Sequence, residues 1–499
     1  MTTKVVVVPV LTDFVKAYDV RGLVPEQLSP DVARALGIAF AEVVAIPDGK
    51  DRIVIGHDMR PSSPDLSAAF ADGVTGRGVD VTLIGLCSTD GLYYASGALD
   101  VPGAMFTASH NPARYNGIKL CRAAAKPVGQ DTGLPELRDL AQWLLDGRSG
   151  LPAARTPPGT IEVRDMLGEY SAFLRGLVDL SDSRPLKLVV DAGNGMSGLT
   201  VPAVLGTAAG LPPLPLEIVP LYFELDGSFP NHEANPLDPA NLVDLQAAVR
   251  VHGADVGLAF DGDADRCFVV DADGEPVSPS AITGLVAARE IGRARSAGEH
   301  DVAIVHNAIS SAAVAEVVRE HGGTPIRTRV GHSFIKEEMA RTGAVFGGEH
   351  SAHYYFRDFW FADTGMLAAL HVLAALGEQD RPLAEIAHAY ERYASSGEIN
   401  STVEDQASAV DRVRAWAVAR DASIDELDGL TVAAPESESE DEDEDEVWWF
   451  NVRASNTEPL LRLNVEASDR ETMTRIRDEV LGLIRGATVP AGDVKERRE

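Results

Sequence analysis

Residues 52–107 read RIVIGHDMRPSSPDLSAAFADGVTGRGVDVTLIGLCSTDGLYYASGALDVPGAMFT, and short β-branched runs alternate there with stretches of helical spacing. Arg52–Ile55, Val79–Ile84 and Gly103–Thr107 have strand character, while Pro64–Gly76 is Ala-rich with apolar residues on one helical face. The alternation continues outward. Lys187–Val190, Val256–Ala259 and Val302–Val305 are further strand candidates, and Asp31–Val44 and Leu242–His252 are further helices. This rhythm predicts an α/β chain with largely parallel sheets and right-handed crossovers.

The 499 residues exceed the roughly 250–300 that one hydrophobic core supports, so several domains are expected. Turn-rich joints at Leu151–Thr160 and Asp271–Pro279, and a change of character between Gly377 and Gly397, divide the chain. The expected units are 1–155, 156–272, 273–390 and 391–499. The last has strand-like Leu430–Ala433, Val447–Val452 and Leu460–Val465 and a closing helix near Arg470–Arg485, which predicts a smaller α+β domain. No fixed-period repeat is present.

The formal charge is −32, with nine acids in 436–446 (ESESEDEDEDE). Nucleic acid is excluded as a partner because phosphate backbones demand basic patches. No apolar run reaches the ~20 residues of a membrane helix, and the first residues lack a secretory pattern. Cys87, Cys121 and Cys267 show neither metal-ligand spacing nor a disulfide framework, which points to a reducing cytoplasm. The acidic tract is expected as a solvated loop between two strands, with a metal-scavenging or partner-binding role as the alternative. An anionic substrate would need a local positive pocket in this negative body.

Four loops carry candidate chemistry. In Thr107-Ala-Ser-His-Asn-Pro112 the Ser109 hydroxyl could project from a strand end, with His110 adjacent and Lys119 ten residues on. A serine carries a phosphoryl group when cations neutralise the charge it gathers; an ordinary turn is the other reading. In Asp261-Gly-Asp-Ala-Asp-Arg266 three carboxylates at alternate positions point to one side, a costly arrangement unless a hard cation sits between them. A calcium EF-hand loop would need Gly and Glu where Arg266 and Ala272 stand, so Mg²⁺ completed by a phosphate oxygen fits better. Glu349 and Ser351 of Gly348-Glu-His-Ser-Ala-His353 could share one face and bind sugar hydroxyls. Arg453-Ala-Ser-Asn-Thr457, with Arg462 beyond, offers an oxyanion cradle from Arg453, Ser455, Asn456 and Thr457; a capped turn is the other reading. Gly193-Asn-Gly-Met-Ser-Gly198 matches a dinucleotide-binding spacing, but prolines interrupt Leu211–Pro220 and no ribose-binding carboxylate follows, so a structural strand-to-helix turn is expected.

These four motifs in this order resemble the α-D-phosphohexomutase superfamily, over essentially the whole chain and with one loop per domain. TASHNP looks like its phosphoserine loop, DGDADR its magnesium loop, GEHSAH its sugar loop and RASNTEP its phosphate loop. The resemblance implies three consecutive mixed-sheet α/β/α domains plus a smaller C-terminal α+β domain around a central cleft. It places Lys119, Arg21 (in Tyr18-Asp-Val-Arg21), Gly331 and His332 in that cleft, with Lys119, Arg21 and His332 as candidates for charge stabilisation or proton transfer. His110 and His353 join the site as motif members, and Arg266 steadies a phosphate. Phosphorylated Ser109 would pass its group to a hexose phosphate, giving a hexose 1,6-bisphosphate that turns around and returns the other phosphate. Asn456 resembles phosphomannomutase/phosphoglucomutase members, with mannose phosphates favoured and glucose phosphates as the alternative. Ala352, where the sugar loop commonly has Gly, and the acidic tract depart from the pattern. A monomer or weak dimer is expected. A silent sugar-phosphate binding protein would have lost Ser109 or an aspartate of the triplet, and neither is lost.

Overall fold

The computed structural model describes residues 9–16, 18–151, 153–435, 446–454 and 460–486. The first sheet holds β1 (Asp19–Leu23), β2 (Arg52–His57), β3 (Asp80–Leu86), β4 (Gly103–Phe106), β5 (Tyr115–Cys121) and β6 (Ile161–Val163), in lateral order β1-β5-β4-β2-β3-β6. The second holds β7 (Leu186–Asp191), β8 (Leu216–Leu221), β9 (Val256–Phe260), β10 (Cys267–Val270) and β11 (Pro276–Val277), in order β11-β10-β9-β7-β8. The third holds β12 (Ala303–Asn307), β13 (Thr324–Thr328), β14 (Phe346–Gly348), β15 (Tyr354–Phe356) and β16 (Ala362–Asp363), in order β13-β12-β14-β15-β16. The fourth is wholly antiparallel: β17 (Ala394–Thr402), β18 (Ser423–Asp425), β19 (Leu430–Ala433), β20 (Trp448–Ala454) and β21 (Leu460–Ala467), in order β17-β21-β20-β19-β18.

The first three sheets share one plan. In each, three parallel strands (β4-β2-β3, β9-β7-β8, β14-β12-β13) are followed by an antiparallel fourth, β5, β10 or β15. The sheets are mixed, as the resemblance implied, where the rhythm of strands and helices alone had implied largely parallel ones. The physical reason is loop length. A parallel return needs a crossover of a dozen or more residues, and only 107–114, 261–266 and 349–353 separate the third and fourth strands. Each of these short returns is one of the candidate functional loops. The fourth sheet repeats the device, since residues 455–459 lie between the antiparallel neighbours β20 and β21.

Two details differ from the sequence reading. Leu216–Leu221 is a strand despite Pro220, because β8 is an edge strand and an edge has no second ladder to lose. β6 pairs with β3 and extends the first sheet past residue 155, where the first joint was expected. The Asp80 carboxylate fixes this approach by accepting from the Thr160 amide and hydroxyl at 2.7 and 2.8 Å.

One apolar cluster runs through the first three units. Trp360 of the third stacks on Phe173 of the second at 5.3 Å between centroids and meets Tyr94 of the first edge-on at 6.1 Å. The fourth unit packs its sheet on the helices Gln406–Val418 and Arg470–Arg485 around an apolar cluster of its own. Its links to the third unit include polar ones, such as Arg327 to Asp425 and the Val330 amide to Asp428. No helix among the described residues is long and apolar enough to cross a membrane.

Candidate active site

Ser109 sits at the tip of the β4–β5 return with φ +50°, a conformation that costs a non-glycine residue about 1–3 kcal/mol and needs outside support. Arg60 supplies it. This fully buried guanidinium donates to Asp58 Oδ2 (3.1 Å), to the carbonyls of Pro112 (3.0 Å) and Tyr115 (2.9 Å), and to those of Ser109 (2.9 Å) and Asn111 (2.7 Å). The Ser109 amide donates to Thr107 Oγ1 at 2.9 Å. So held, the Ser109 hydroxyl donates to Asp261 Oδ2 at 2.8 Å and lies 3.2 Å from His110 Nδ1.

The metal-loop candidate is buried in full. Asp261, Asp263 and Asp265 are at most 1% exposed, and their ligand oxygens lie within 4.8 Å of one another. Arg266 closes the loop through its amide and Nε, which donate to Asp261 Oδ1 (3.2 Å) and Oδ2 (3.0 Å). Lys119 Nζ donates to Asp263 Oδ2 (2.7 Å) and Asp265 Oδ2 (2.5 Å). The other oxygens, Asp263 Oδ1 and Asp265 Oδ1, are buried without a hydrogen-bond partner. Two orphaned carboxylate oxygens beside a third carboxylate fit a hard divalent cation. Gly262 is required here, since a Cβ would stand 2.5 Å from the Ser109 carbonyl oxygen.

Electrostatics follow from this crowding. Burial, with Asp265 and Asp263 adding to it, pushes the Asp261 carboxyl up to about 7 against the pull of Arg266. Burial opposes ionisation of Asp263 too, but Lys119 and the Thr89 hydroxyl hold it well below the usual carboxylate range. Burial likewise opposes the Lys119 charge, and Asp263 and Asp265 overcome it. Burial, reinforced by Arg266 and Arg21, keeps His110 neutral, and Arg266 Nη2 donates to its Nδ1 at 2.6 Å. Burial and Lys336 push His332 down to about 3.

The remaining sequence candidates gather around these loops. Arg21 donates to Asn111 Oδ1 (2.6 Å) and Asp19 Oδ2 (2.7 Å), and its strand β1 pairs with β5 in a register that sets Asp19 opposite Lys119. His332 opens the helix His332–Thr342 after Gly331, its ring 5.1 Å from that of Tyr18. Glu349 accepts from the Gly331 amide (3.1 Å), Asn307 Nδ2 (3.1 Å) and the Tyr355 hydroxyl (2.6 Å). The Ser351 hydroxyl lies 3.0 Å from His353 Nδ1, and a β-bridge between Arg266 and His353 joins the metal loop to the sugar loop. Ala352 adopts φ +65°, so the alanine follows the left-handed turn that Gly would favour.

On the fourth unit, Arg453 and Arg462 face each other directly across β20 and β21. Glu398 lies between them and accepts from Arg453 Nη2 (2.8 Å) and Arg462 Nη1 (3.2 Å). Ser455, Asn456 and Thr457 lie outside the described residues, as do 436–445 of the acidic tract, whose flanking strands β19 and β20 are antiparallel neighbours. Burial holds the His350 imidazole down, with Glu398 opposing and Arg453 adding to it.

Sequence reasoning missed Arg60, Glu398 and Asn307. Arg60 had one signal: it follows a strand end in His57-Asp-Met-Arg60, two residues after an aspartate. Glu398 and Asn307 had none. The Gly193–Gly198 segment leads from β7 into the helix Ser197–Val204. Gly195 packs where a Cβ would stand 2.7 Å from the Gly262 carbonyl oxygen, so this turn supports the aspartate loop.

A serine held on a left-handed loop against buried aspartates, with two arginines facing each other on the fourth sheet, is an arrangement suited to phosphoryl transfer. The chain belongs to the phosphoglucomutase/phosphomannomutase family. It matches the family's alpha/beta/alpha domains I, II and III over residues 13–140, 169–274 and 279–393, and its C-terminal domain over 398–483. It is therefore a phosphohexomutase, an isomerase acting by phosphate transfer. The "Phosphohexose mutases" of Xanthomonas campestris pv. campestris are 40% identical over 474 residues, covering 94% of this chain and 99% of that one. A phosphomannomutase of Escherichia coli K12 is 37% identical over 468 residues, covering 93% and 97%. A crystal structure of a phosphoglucomutase/phosphomannomutase family protein from Burkholderia thailandensis aligns with TM-score 0.80 and 32% identity over 96% of this chain and 98% of that one.

Proposed function

We propose that this chain interconverts mannose 6-phosphate and mannose 1-phosphate through a phosphorylated Ser109 and a hexose 1,6-bisphosphate, with glucose phosphates as a second substrate pair. The observation that carries the reading is the Ser109 hydroxyl donating at 2.8 Å to an aspartate of the buried triplet. Relatives named phosphomannomutase support the mannose assignment; the K12 protein is similar over 93% of this chain.

The resting enzyme carries the phosphoryl group on Ser109. A hexose-phosphate hydroxyl attacks phosphorus and loses its proton, the new O–P bond forms as the Ser109 Oγ–P bond breaks, and Oγ gains a proton in exchange. The dephosphorylated state then has the hydrogen bond described above, with the Ser109 proton directed at Asp261 Oδ2. After the bisphosphate turns around, Ser109 attacks the other phosphoryl group, the sugar O–P bond breaks as the Oγ–P bond forms, and the serine loses its proton as the leaving sugar oxygen gains one. Asp261, Asp263 and Asp265 would hold Mg²⁺, which when bound neutralises phosphate charge during transfer. Lys119 stays protonated and adds positive charge beside Ser109, and Arg266 steadies phosphate oxygens. His332, with so low a proton affinity, serves as a hydrogen-bonding neutral imidazole. Glu349, Ser351 and His353 meet the sugar hydroxyls, and Arg453 and Arg462 hold the phosphate that is not reacting. One anchor serves both ends of the sugar because the intermediate carries a phosphate at each.

Ser109→Ala is the test. The variant should fold normally and lose turnover by at least about a thousandfold, measured as conversion of mannose 1-phosphate in a coupled assay with bisphosphate activator. Near-wild-type turnover would refute the phosphoserine route. Release of inorganic phosphate in place of isomer by the wild type would make it a phosphatase.

A further inference from the structure

Thr89 opens the helix Thr89–Leu99 of the first unit, 174 positions before the metal loop, and is fully buried against it. Its amide donates to the Asp263 carbonyl at 3.0 Å, and its hydroxyl donates to Asp263 Oδ2 at 2.5 Å. Lys119 occupies the same Oδ2, so Asp263 has one oxygen doubly engaged and the other, Oδ1, left bare. A carboxylate turned this way cannot rotate to exchange its oxygens without breaking both bonds. Residue 90 braces the clasp. The Asp90 carboxylate accepts from Tyr170 of the second unit (2.7 Å) and Thr364 of the third (2.6 Å), so the start of this helix is tied to both neighbouring units.

We propose that Thr89 is a positioning residue for the divalent cation: its hydroxyl fixes which oxygen of Asp263 faces the metal and thereby sets metal affinity. The proposal rests on the reading of Asp261, Asp263 and Asp265 as the metal loop. Partners of this kind, which orient ligands without touching the ion, typically change metal affinity 10–100-fold when removed. Thr89 needs a β-hydroxyl for the role, and both Ser and Thr supply one, whereas Val keeps the shape without the donor.

The test is Mn²⁺ binding to the purified full-length chain, followed by electron paramagnetic resonance, with Mg²⁺ competition. Wild type and Asp261→Asn establish the site: if Asp261→Asn binds Mn²⁺ as tightly as wild type, the metal-loop reading fails, independently of Thr89. Given that site, Thr89→Val should weaken Mn²⁺ about 10–100-fold, and Thr89→Ser should stay within about threefold of wild type. Thr89→Ala against Thr89→Ser gives the same comparison with the methyl group removed from both, and it decides the matter if the valine variant does not fold. In activity assays the loss in Thr89→Val should be recovered by raising Mg²⁺, with kcat at saturating metal restored to near wild type. Equal Mn²⁺ affinity in hydroxyl-bearing and hydroxyl-lacking variants overturns the proposal, as does a fall in kcat that metal does not recover.

Discussion

Arg60→Lys keeps the buried charge beside Asp58 and removes the planar fork. The guanidinium serves Asp58 and four backbone carbonyls, those of Ser109, Asn111, Pro112 and Tyr115. An ammonium has three donors, so at least two of these buried acceptors lose their partner. At about 1–3 kcal/mol for each unsatisfied group, the loop loses roughly 2–6 kcal/mol of support. That matches or exceeds the ~1–3 kcal/mol of strain at Ser109 that the support must hold. The loop should then relax away from the reactive geometry, and displacements of about 1 Å lower turnover by about a hundredfold. The anchor at Arg453 and Arg462 is untouched, so KM for hexose phosphate should change less than about threefold. Two measurements check this: kcat and KM in a coupled mutase assay, and amide hydrogen exchange over residues 108–116. A kcat within twofold of wild type, with exchange in that loop unchanged, would show that the five-donor cradle is not what holds Ser109.

Three further expectations follow from individual contacts. Burial raises the Asp90 carboxyl from 3.8 to about 6, so the folded chain binds more protons than the unfolded one between those values and stability falls as pH rises through them. The penalty is absent below about 3.8, complete above about 6 and worth roughly 3 kcal/mol; thermal unfolding of Asp90→Asn against wild type from pH 4.5 to 7.5 should show the difference moving in favour of the variant, and a pH-independent difference counts against it. On the proposed role of Arg453 and Arg462 as the phosphate anchor, Glu398→Gln removes a carboxylate that competes for them. Inorganic phosphate should inhibit competitively up to about fivefold more tightly, and weaker inhibition would mean that Glu398 orients the arginines instead. The fourth unit has its own apolar cluster and polar ties to the third, so hexose bisphosphate should close it toward the Ser109 site; small-angle scattering with no compaction would contradict this.

Much of the site was legible because its chemistry lies in contiguous runs. Ser109, the three aspartates, Glu349 and Arg453 each belong to a short contiguous motif that gathers several polar groups, and the aspartate triplet is the costliest of them without a cation. Three buried carboxylates at alternate positions call for a cation wherever the loop is placed. The helices were legible from spacing alone, as with Ser63–Thr75 and Val243–His252. Strand direction was not. β5, β10 and β15 return antiparallel because the functional loops before them are short, and the periodicity of a strand carries no sign of its direction. Glu398 and Asn307 were invisible for another reason. Neither stands in a motif, and each acquires its role from a partner 55 and 42 residues away, respectively.

The sequence alone determined the reaction class, the four loops, their order and the alternation that builds three α/β units and a smaller fourth. Only the tertiary structure decided how the loops act together. It placed every candidate loop at the return between a sheet's third strand and its antiparallel neighbour, or between the fourth sheet's β20 and β21. It also held Ser109 in a left-handed conformation through Arg60, and left one oxygen each of Asp263 and Asp265 buried without a hydrogen-bond partner. Those are properties of distance and direction between residues far apart in the chain, set by which strands pair and which side chains exclude water between them. Local composition carries the chemistry of each group, and packing alone carries its orientation.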